Sequence, residues 1–403
     1  MKVLAANLGS TSYKYRLFEA DGERCELLAR GGYERVSDHG AAIRDGLGKL
    51  VAEGCLGSRE ELDAVGFKTV LGHRLSGCRE ADEAVLEDLG KAAPLAPAHN
   101  PAYIAGIRQF AEAAPGAVRV ALFETAFYQW VAPEAKRYGV PGSWHEAGVR
   151  RNGFHGASHK FVAERSAELL GRPDVAERVR RLYHEGGGKG PLDPARPLRV
   201  VSCHLGGSSS VTGMRDGVAA GTSMGMTPQS GLPQGNRVGD LDAMAVPFAL
   251  REMGLSLEEV ERQLTRESGL LGMSGVSHDV RDLTEAAGGG HAGARLALDA
   301  LAHSTRHWVG AMAFVLGGLD ALVFAGGIGE NNPGIRAAVC AGLEEFGIRL
   351  DAGRNDGCRG AEECLSSDSS RVRIWVMPAN EELVVARETA RFLEHRRVSE
   401  HAT

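Results

Sequence analysis

The sequence predicts two mixed α/β domains related by duplication, and three observations carry that prediction. At 403 residues the chain exceeds what one hydrophobic core usually organises. Strand-like runs alternate with helical periods after an opening meander, the pattern of a mixed sheet covered by helices. The same order of elements then restarts about two hundred residues on. Two such halves would face each other across a cleft, the default place for a ligand.

In the first half, Lys2 to Asn7 is an apolar run, Gly9-Ser-Thr-Ser12 a turn, Tyr13 to Glu19 a second run, Asp21-Gly22 a turn and Cys25 to Tyr33 a third run. That is a three-stranded meander. A helical period covers Ala41 to Val51, followed by a strand at Leu62 to Thr69, helices near Glu80 to Gly90 and Pro101 to Glu112, and a strand at Val118 to Phe123. The second half opens with the run Arg199 to Leu205, the turn Gly206-Gly-Ser-Ser-Ser210, the strand Val211 to Arg215 and the turn Asp216-Gly217. Asn7-Leu-Gly-Ser-Thr-Ser12 parallels His204-Leu-Gly-Gly-Ser-Ser209, and an Asp-Gly follows 14 residues after Asn7 and 12 after His204. Helices near Ala243 to Met253, Leu257 to Thr265 and Ala292 to Leu316, the strand Ala321 to Ala325, a helix after Pro333, the strand Val372 to Met377 and a helix from Glu381 complete the half. Between the halves, Tyr183 to Pro197 is rich in Gly and Pro and reads as a surface excursion. Its Gly188-Lys189 is no P-loop, because no Ser or Thr follows the lysine and Pro191 denies it a helix start.

A net charge of -6 gives no electrostatic reason to expect nucleic acid or an anionic membrane as partner. An anionic small ligand would be held by a few local cations. The seven cysteines make an odd count without C-x-x-C spacing, which argues against a disulfide framework or zinc site and for a reducing cytoplasm. The apolar run at Met1 to Asn7 is too short for a signal peptide, and no stretch approaches the length of a membrane span. A soluble, cytoplasmic protein is expected. The 54 glycines are well above the usual share of about 7% and stand mostly at the ends of apolar runs, where they read as turns that bring backbone close to something.

Phosphate chains are bound by backbone N–H groups converging in tight turns, and only small residues allow that approach. Asn7 to Ser12, Gly206 to Ser210 and Gly326-Gly-Ile-Gly-Glu-Asn331 supply such turns directly after apolar strands. One alone would be an ordinary hairpin; three, two of them in equivalent places of a repeat, point to a phosphate-bearing ligand, with the third turn supporting its nucleoside. Asn380-Glu381-Glu382 sets adjacent carboxylates at a strand-to-helix passage. They read equally as helix-dipole partners and as ligands for the magnesium that accompanies ATP. Arg237 sits among turn residues, where a guanidinium suits phosphoryl or carboxylate oxygens, though a solvated arginine is the blander reading. His155 stands between glycines, and such a histidine is more often packed or capping than catalytic. Asp279 and Arg281 begin a helix and read as its cap.

Taken together these residues resemble the acetate kinase family, with its propionate and butyrate kinases, over nearly the whole chain. Asn7-x-Gly-Ser-x-Ser-x-Lys14 resembles the family's first motif and Arg151-Asn-Gly-Phe-His-Gly-Ala-Ser-His159 its second. Leu95-Ala-Pro-Ala-His-Asn-Pro101, Cys203-His-Leu-Gly, Thr222-Ser-Met-Gly-Met-Thr-Pro228, Ser268-Gly-Leu-Leu-Gly, Gly326-Gly-Ile-Gly-Glu-Asn331 and Pro378-Ala-Asn-Glu-Glu382 agree as well. The resemblance implies the sugar kinase, Hsp70 and actin (ribonuclease H-like) fold: two duplicated α/β domains around a nucleotide cleft, usually as a homodimer. It implies a domain at 1–150, joined by a C-terminal helix at about 385–403, and a nucleotide-binding domain at 151–384. The implied reaction is reversible, in-line phosphoryl transfer between ATP and a short-chain carboxylate, with Mg2+ or Mn2+, ATP and ADP being co-substrates.

Carried over by position, Asn7 and Glu381 would orient the metal, Arg237 would hold the transferring phosphoryl group and His155 would stabilise it in flight. Lys68 and Glu124 would complete the catalytic set. Lys14, His204, Gly206, Gly207, Ser208, Gly326, Gly327, Gly329 and Asn331 would bind the nucleotide, with Asp279 and Arg281 on its adenine side. Val70, Ala98, Phe154 and Pro228 would line the acyl pocket. The chemistry agrees, since a carboxylate acceptor is already ionised and catalysis reduces to positioning and charge neutralisation.

Three positions depart from the family pattern. Lys68 stands where the family has a substrate-binding arginine, keeping the charge but losing the bidentate fork; Arg74 lies six residues on as a substitute. Glu124 replaces an aspartate, and Ala98 a leucine. The alternatives weighed are a kinase of another organic acid, a pyrophosphate-using relative, and a non-catalytic nucleotide-binding module. The last would need no acceptor cations, so Lys68, His155 and Arg237 count against it.

Overall fold

The computed structural model describes residues 1–21, 24–97, 99–184, 192–193 and 195–401. The chain separates into two compact units. The first holds Met1–Gln129, a stretch beginning at Arg180, and the chain from Asn380; the second holds Trp130–Val179 and the chain up to Ala379. These divisions fall earlier than the expected 150/151 and 384/385. Trp130 to Arg150 groups with the second unit because Tyr138 is built into it: its hydroxyl accepts from Met226 N at 3.0 Å and its ring carries the Arg151 guanidinium at 4.8 Å. The Gly188-Lys189 segment of the expected surface excursion lies outside the described residues.

The sheet of the first unit is built from β1 (Lys2–Leu8), β2 (Ser12–Asp21), β3 (Arg24–Glu34), β4 (Ala64–Thr69), β5 (Cys78–Glu80) and β6 (Val118–Phe123), in the spatial order β3-β2-β1-β4-β6-β5. β1, β4 and β6 run parallel, and β1–β2–β3 is an antiparallel meander. The central β1 and β4 are buried along most of their length, as their near-continuous apolar runs require. The outer β3 is exposed and carries Arg24, Glu26, Arg30 and Glu34, charges that protect an edge. The helix Asn100–Ala113 covers one face, where Phe110 meets Tyr13 and Phe67 edge-on at 6.0 and 5.5 Å between ring centres. The C-terminal helix Glu381–His401 packs against β1 and β4. It comes so close that a Cβ on Gly66 would collide with Thr389 and Val385.

The helix expected from Glu80 begins at Glu83. Cys78–Glu80 is drawn into the sheet against β6, and Asp82 caps the helix by accepting from Val85 N at 2.9 Å.

The second unit repeats this plan. β7 (Arg199–His204), β8 (Ser210–Arg215), β9 (Val218–Thr222), β10 (Ala321–Ala325), β11 (Glu363–Cys364) and β12 (Arg373–Val376) stand in the order β9-β8-β7-β10-β12-β11. The meander, the parallel trio β7, β10 and β12, and the antiparallel edge strand recur strand for strand. The helix Ala292–Leu316 lays Ala297, Leu301, Val309 and Met312 into the core and stops at Gly317, whose φ of 71° suits a residue without a Cβ. The helix Gly156–Leu169 escapes a periodicity reading because it has no apolar stripe: Ser158, His159, Lys160, Glu164 and Ser166 are buried alongside its alanines. The segment Gly326–Asn331, expected as a turn, is itself a short helix entered directly from β10.

Candidate active site

Open α/β sheets bind ligands beyond the carboxyl ends of their parallel strands, and Asn7, Lys68 and Glu124 in the first unit and His204, Gly206 and Gly326 in the second lie at or just past those ends. In the first unit Asn7 is near the end of β1, Lys68 near the end of β4, and Glu124 follows β6. Glu381 opens the C-terminal helix. Lys68 Nζ lies 2.6 Å from Glu381 Oε2 and 3.1 Å from Glu124 Oε1. Burial by itself would lower the ammonium's pKa, but Glu124 and Glu381 outweigh it and hold it well above the usual lysine value. Glu124 is 6% exposed, so its extra methylene serves to reach this ammonium. The ammonium donates a hydrogen bond to Glu381 and stands in an ion pair with Glu124. The sequence placed Lys68 as an open acyl-binding cation; the structure ties it between two carboxylates.

Tyr103, which the sequence reading did not select, donates from its hydroxyl to Asn7 Oδ1 at 3.2 Å. Burial pushes its phenol up to about 12, so it remains a donor. Asn7, Lys68, Glu381, Glu382 and Val385 line a recess about the size of one water molecule. Its donor set, an amide oxygen and two carboxylates, fits a hard cation such as Mg2+, which takes one or two carboxylates and keeps waters and phosphate oxygens for the rest. Lys14 pairs with Asn7 across β1 and β2 and reaches Glu34 at 3.0 Å on an exposed surface. Arg74 is exposed, on a loop whose backbone N–H groups at 74 and 75 donate to Asp88 at 3.0 Å.

In the second unit hydrogen bonds draw the candidate residues together. Ile328 N donates to Leu205 O at 2.8 Å, joining the Gly326–Asn331 helix to the Gly206–Ser210 turn. Gly326, at φ 75°, permits this: a Cβ there would lie 2.7 Å from Leu205 O. Gly329 is buried beneath, Gly327 and Gly207 are exposed, and Asn331 donates back to Gly327 O at 3.0 Å. Arg237 is half-buried and directs Nη1 to Ser208 Oγ at 3.3 Å and Gln234 Oε1 at 3.4 Å, while Gly235 N donates to Gly207 O at 3.2 Å. Burial lowers the Arg237 pKa, the signature of a charge kept from water without a carboxylate partner.

His155 caps the helix Gly156–Leu169 in the left-handed region, at φ 58° and ψ 31°, a conformation rare outside glycine and concentrated at functional sites. Its ring stacks on His204 at 4.2 Å, and its Nδ1 is 2.8 Å from Ser210 Oγ. His204 Nδ1 bonds Ser158 Oγ at 2.8 Å. Asp279 caps the helix Val280–Gly288, accepting from Arg281 N, and takes the Arg281 guanidinium at 2.6 Å. The Arg281 contacts, its hydrogen bond first, bring the Asp279 carboxyl down to about 2.

Of the acyl-pocket residues, Val70 belongs to the first unit and Phe154 and Pro228 to the second. Ala98 lies outside the described residues. Arg336 is a further residue that sequence reasoning missed. Fully buried, it donates to the carbonyls of Gly329 and Glu330 at 2.9 and 3.0 Å and so fixes the C-terminal end of the Gly326–Asn331 helix. An arginine three residues after a proline carries no sequence signal for such a role.

Two six-stranded sheets with the same strand order are the duplicated fold that the resemblance implied, and the comparisons bear out that fold and the family. The sequence pattern of the Acetokinase family matches residues 31–189 and 192–387. The chain belongs to the acetokinase family. It is 37% identical over 414 residues to the acetate kinase of Geobacillus kaustophilus, with 97% of this chain and 98% of that protein covered. The crystal structure of Porphyromonas gingivalis acetate kinase superposes with a TM-score of 0.85 at 34% identity, covering 97% of this chain and 99% of that one. A propionate kinase from Francisella tularensis does so with a TM-score of 0.80 at 30% identity, covering 96% and 98%. Membership makes this acetokinase-family chain a carboxylate kinase with the duplicated fold of the sugar kinase, Hsp70 and actin class. Among the described residues, no helix is long and apolar enough to cross a membrane.

Proposed function

We propose that this chain transfers the γ-phosphoryl group of ATP reversibly to acetate or propionate, forming the acyl phosphate and ADP, with Mg2+ or Mn2+ as the metal. The observation that carries the reading is the convergence in the second unit of Arg237, His155 and two glycine turns, linked through Ser208, Ser210 and Leu205. A carboxylate oxygen of the acceptor attacks the γ-phosphorus as the bond to the β,γ-bridging oxygen breaks, and no proton need move. Arg237 and His155 donate to the equatorial phosphoryl oxygens, whose charge they meet in the transition state. In the second unit the backbone N–H groups of Gly207 and Ser208 cradle the phosphate chain beside His204, in a turn that Gly206 closes by donating to Ser209 Oγ at 3.1 Å, and Gly326 to Asn331 with Asp279 and Arg281 receive the nucleoside; Lys14 is the first unit's candidate for the nucleotide.

In the first unit Lys68 orients Glu124 and Glu381 and offers a further N–H to the acceptor carboxylate, with Arg74 as a second cation for it. Asn7 and Glu381 hold the divalent cation, which when bound would neutralise charge on the transferring group. Val70, Ala98, Phe154 and Pro228 are the acyl-chain candidates by their positions in the family's motifs. A second copy of this chain is the proposed partner: the helix Ala245–Arg251 buries none of its residues, and Met244, Phe248 and Met253 are each more than half exposed beside Leu241 and Leu257. The cytoplasm is the proposed location, in keeping with seven cysteines that form no disulfide.

A coupled ADP-release assay across a panel of carboxylates tests the reading. Turnover with acetate or propionate, abolished by chelation and largely lost in Glu381→Ala while the protein stays folded, is expected. Undiminished metal-dependent turnover in that variant would reduce Glu381 to a helix-capping residue.

A further inference from the structure

Beneath His155 lies a chain of side chains that the proposed reaction does not use. His155 Nδ1 is 2.8 Å from Ser210 Oγ, the same oxygen is 2.8 Å from His159 Nε2, and His159 Nδ1 is 2.9 Å from Ser202 Oγ. Ser202, His159 and Ser210 are all fully buried. A serine hydroxyl has one proton, so Ser210 can donate to only one of its two imidazoles and must accept from the other. Two proton patterns follow. In the first, His159 donates from Nε2 to Ser210, and Ser210 donates to a bare His155 Nδ1, which leaves the neutral His155 with its proton on Nε2. In the second the chain runs the other way, His155 carries a proton on Nδ1, and unless it is an imidazolium its Nε2 is a bare acceptor. These tautomers are assigned from the hydrogen-bonding partners.

A phosphoryl group offers acceptors only, so a bare Nε2 would repel it. An imidazolium at His155 would bring a full charge against Ser210, whose hydroxyl, like Ser202 and His159 behind it, is fully buried and away from water. The first pattern avoids both costs. It needs a neutral His159 that donates from one nitrogen and accepts at the other, and burial keeps that ring neutral, with its pKa well below the usual histidine value. The left-handed backbone at His155 adds an independent indication, because a strained position persists only where its surroundings over-determine it.

We propose that His159 is a positioning residue for the phosphoryl transfer, acting through Ser210 to hold His155 as the Nε2–H tautomer. This rests on the role given to His155 under the proposed function. Second partners of this kind commonly matter by about 10- to 100-fold when removed.

The test uses the full chain, labelled with nitrogen-15 histidine, as wild type and as Ser210→Ala, Ser210→Thr, His159→Gln and His155→Ala. Ser210→Ala, which deletes a single oxygen, is expected to lower kcat by about 10- to 100-fold with KM for ATP and acetate unchanged. The His155 nitrogen shifts should move from the Nε2–H pattern toward a tautomer mixture, and Ser210→Thr should restore both. His159→Gln should follow Ser210→Ala in both readouts; should it fail to fold, Ser210→Ala alone decides. Wild-type kcat and unmoved nitrogen shifts in Ser210→Ala, with His155→Ala impaired, overturn the positioning role alone. Wild-type kcat in His155→Ala overturns the reading of His155 and this proposal with it.

Discussion

The two units share one strand order but carry opposite chemistry at equivalent strand ends. Asn7 at the end of β1 answers to His204 at the end of β7, and each precedes a Gly-Ser turn. Around Asn7 stand full charges, with Lys68 between Glu124 and Glu381. Around His204 stand imidazoles and hydroxyls: His155, His159, Ser158, Ser202 and Ser210. One scaffold supports both because the parallel strands only fix where side chains project, whereas the type of residue at each end sets the field. On the proposed reading the charged end would take a cation and a carboxylate; the histidine end, with backbone N–H groups and the Arg237 guanidinium, would take an anionic phosphate chain that acidic neighbours would repel.

That contrast can be broken most sharply at Arg237, the charge on which the proposed role of the histidine end depends. Arg237→Ala is expected to lower kcat by about 10²- to 10³-fold, the loss seen when one preorganised transition-state donor is removed. A raised KM for ATP with unchanged kcat would make it a ground-state binder instead. At the charged end the expected effect falls on stability. Lys68→Met leaves two carboxylates facing each other, and breaking a buried pair costs about 3–5 kcal/mol. Because Lys68 and Glu381 are 23% and 20% exposed, about 2 kcal/mol is expected, read as a lower urea midpoint. Lys68→Met with Glu124→Gln should recover part of it. If both variants unfold at the wild-type midpoint, the cluster contributes nothing to folding.

A smaller effect concerns the acyl chain. Ala98 replaces the family's leucine, and the volume removed favours an extra substrate methylene by about tenfold. The comparison is kcat/KM for acetate, propionate and butyrate in the wild type and in Ala98→Leu. A strong acetate preference unchanged by the substitution would rule out an enlarged pocket.

The last contrast is in pH. His159 is depressed when folded, so its neutral form contributes stability that is fully present above the unfolded histidine pKa of about 6.5 and is lost as pH falls through the folded value. The second unit should therefore weaken on mild acidification, and His159→Gln should flatten that slope. An identical slope in the variant would assign the acid sensitivity elsewhere.

Much of this was legible in the chain itself. The duplicated order of strands and turns, the long helix ending at Gly317 and the three glycine segments follow from local signals: apolar runs, turn residues and a 3.6-residue period. Helices without an apolar stripe, such as Gly156–Leu169, were not legible, nor was β5, which is three residues long and exists only because β6 offers it an edge. Of the candidate site, the glycine turns and Arg237 were singled out by type and place, and Asn7, Lys68, Glu124 and Glu381 by resemblance. His159, Tyr103 and Arg336 were not assigned, because nothing in their neighbours along the chain marks what they touch.

The sequence by itself determined the family, the two-fold plan and which residue types stand at each strand end, because these depend on periodicity and on motifs contiguous in the chain. Tertiary structure alone decided how those residues are engaged: that Lys68 is bound by carboxylates from positions 124 and 381, and that Ser210 joins two histidines. The physical reason is that charge state, tautomer and strain are set by neighbours within a few ångströms, and those neighbours come from strands and helices far apart in sequence.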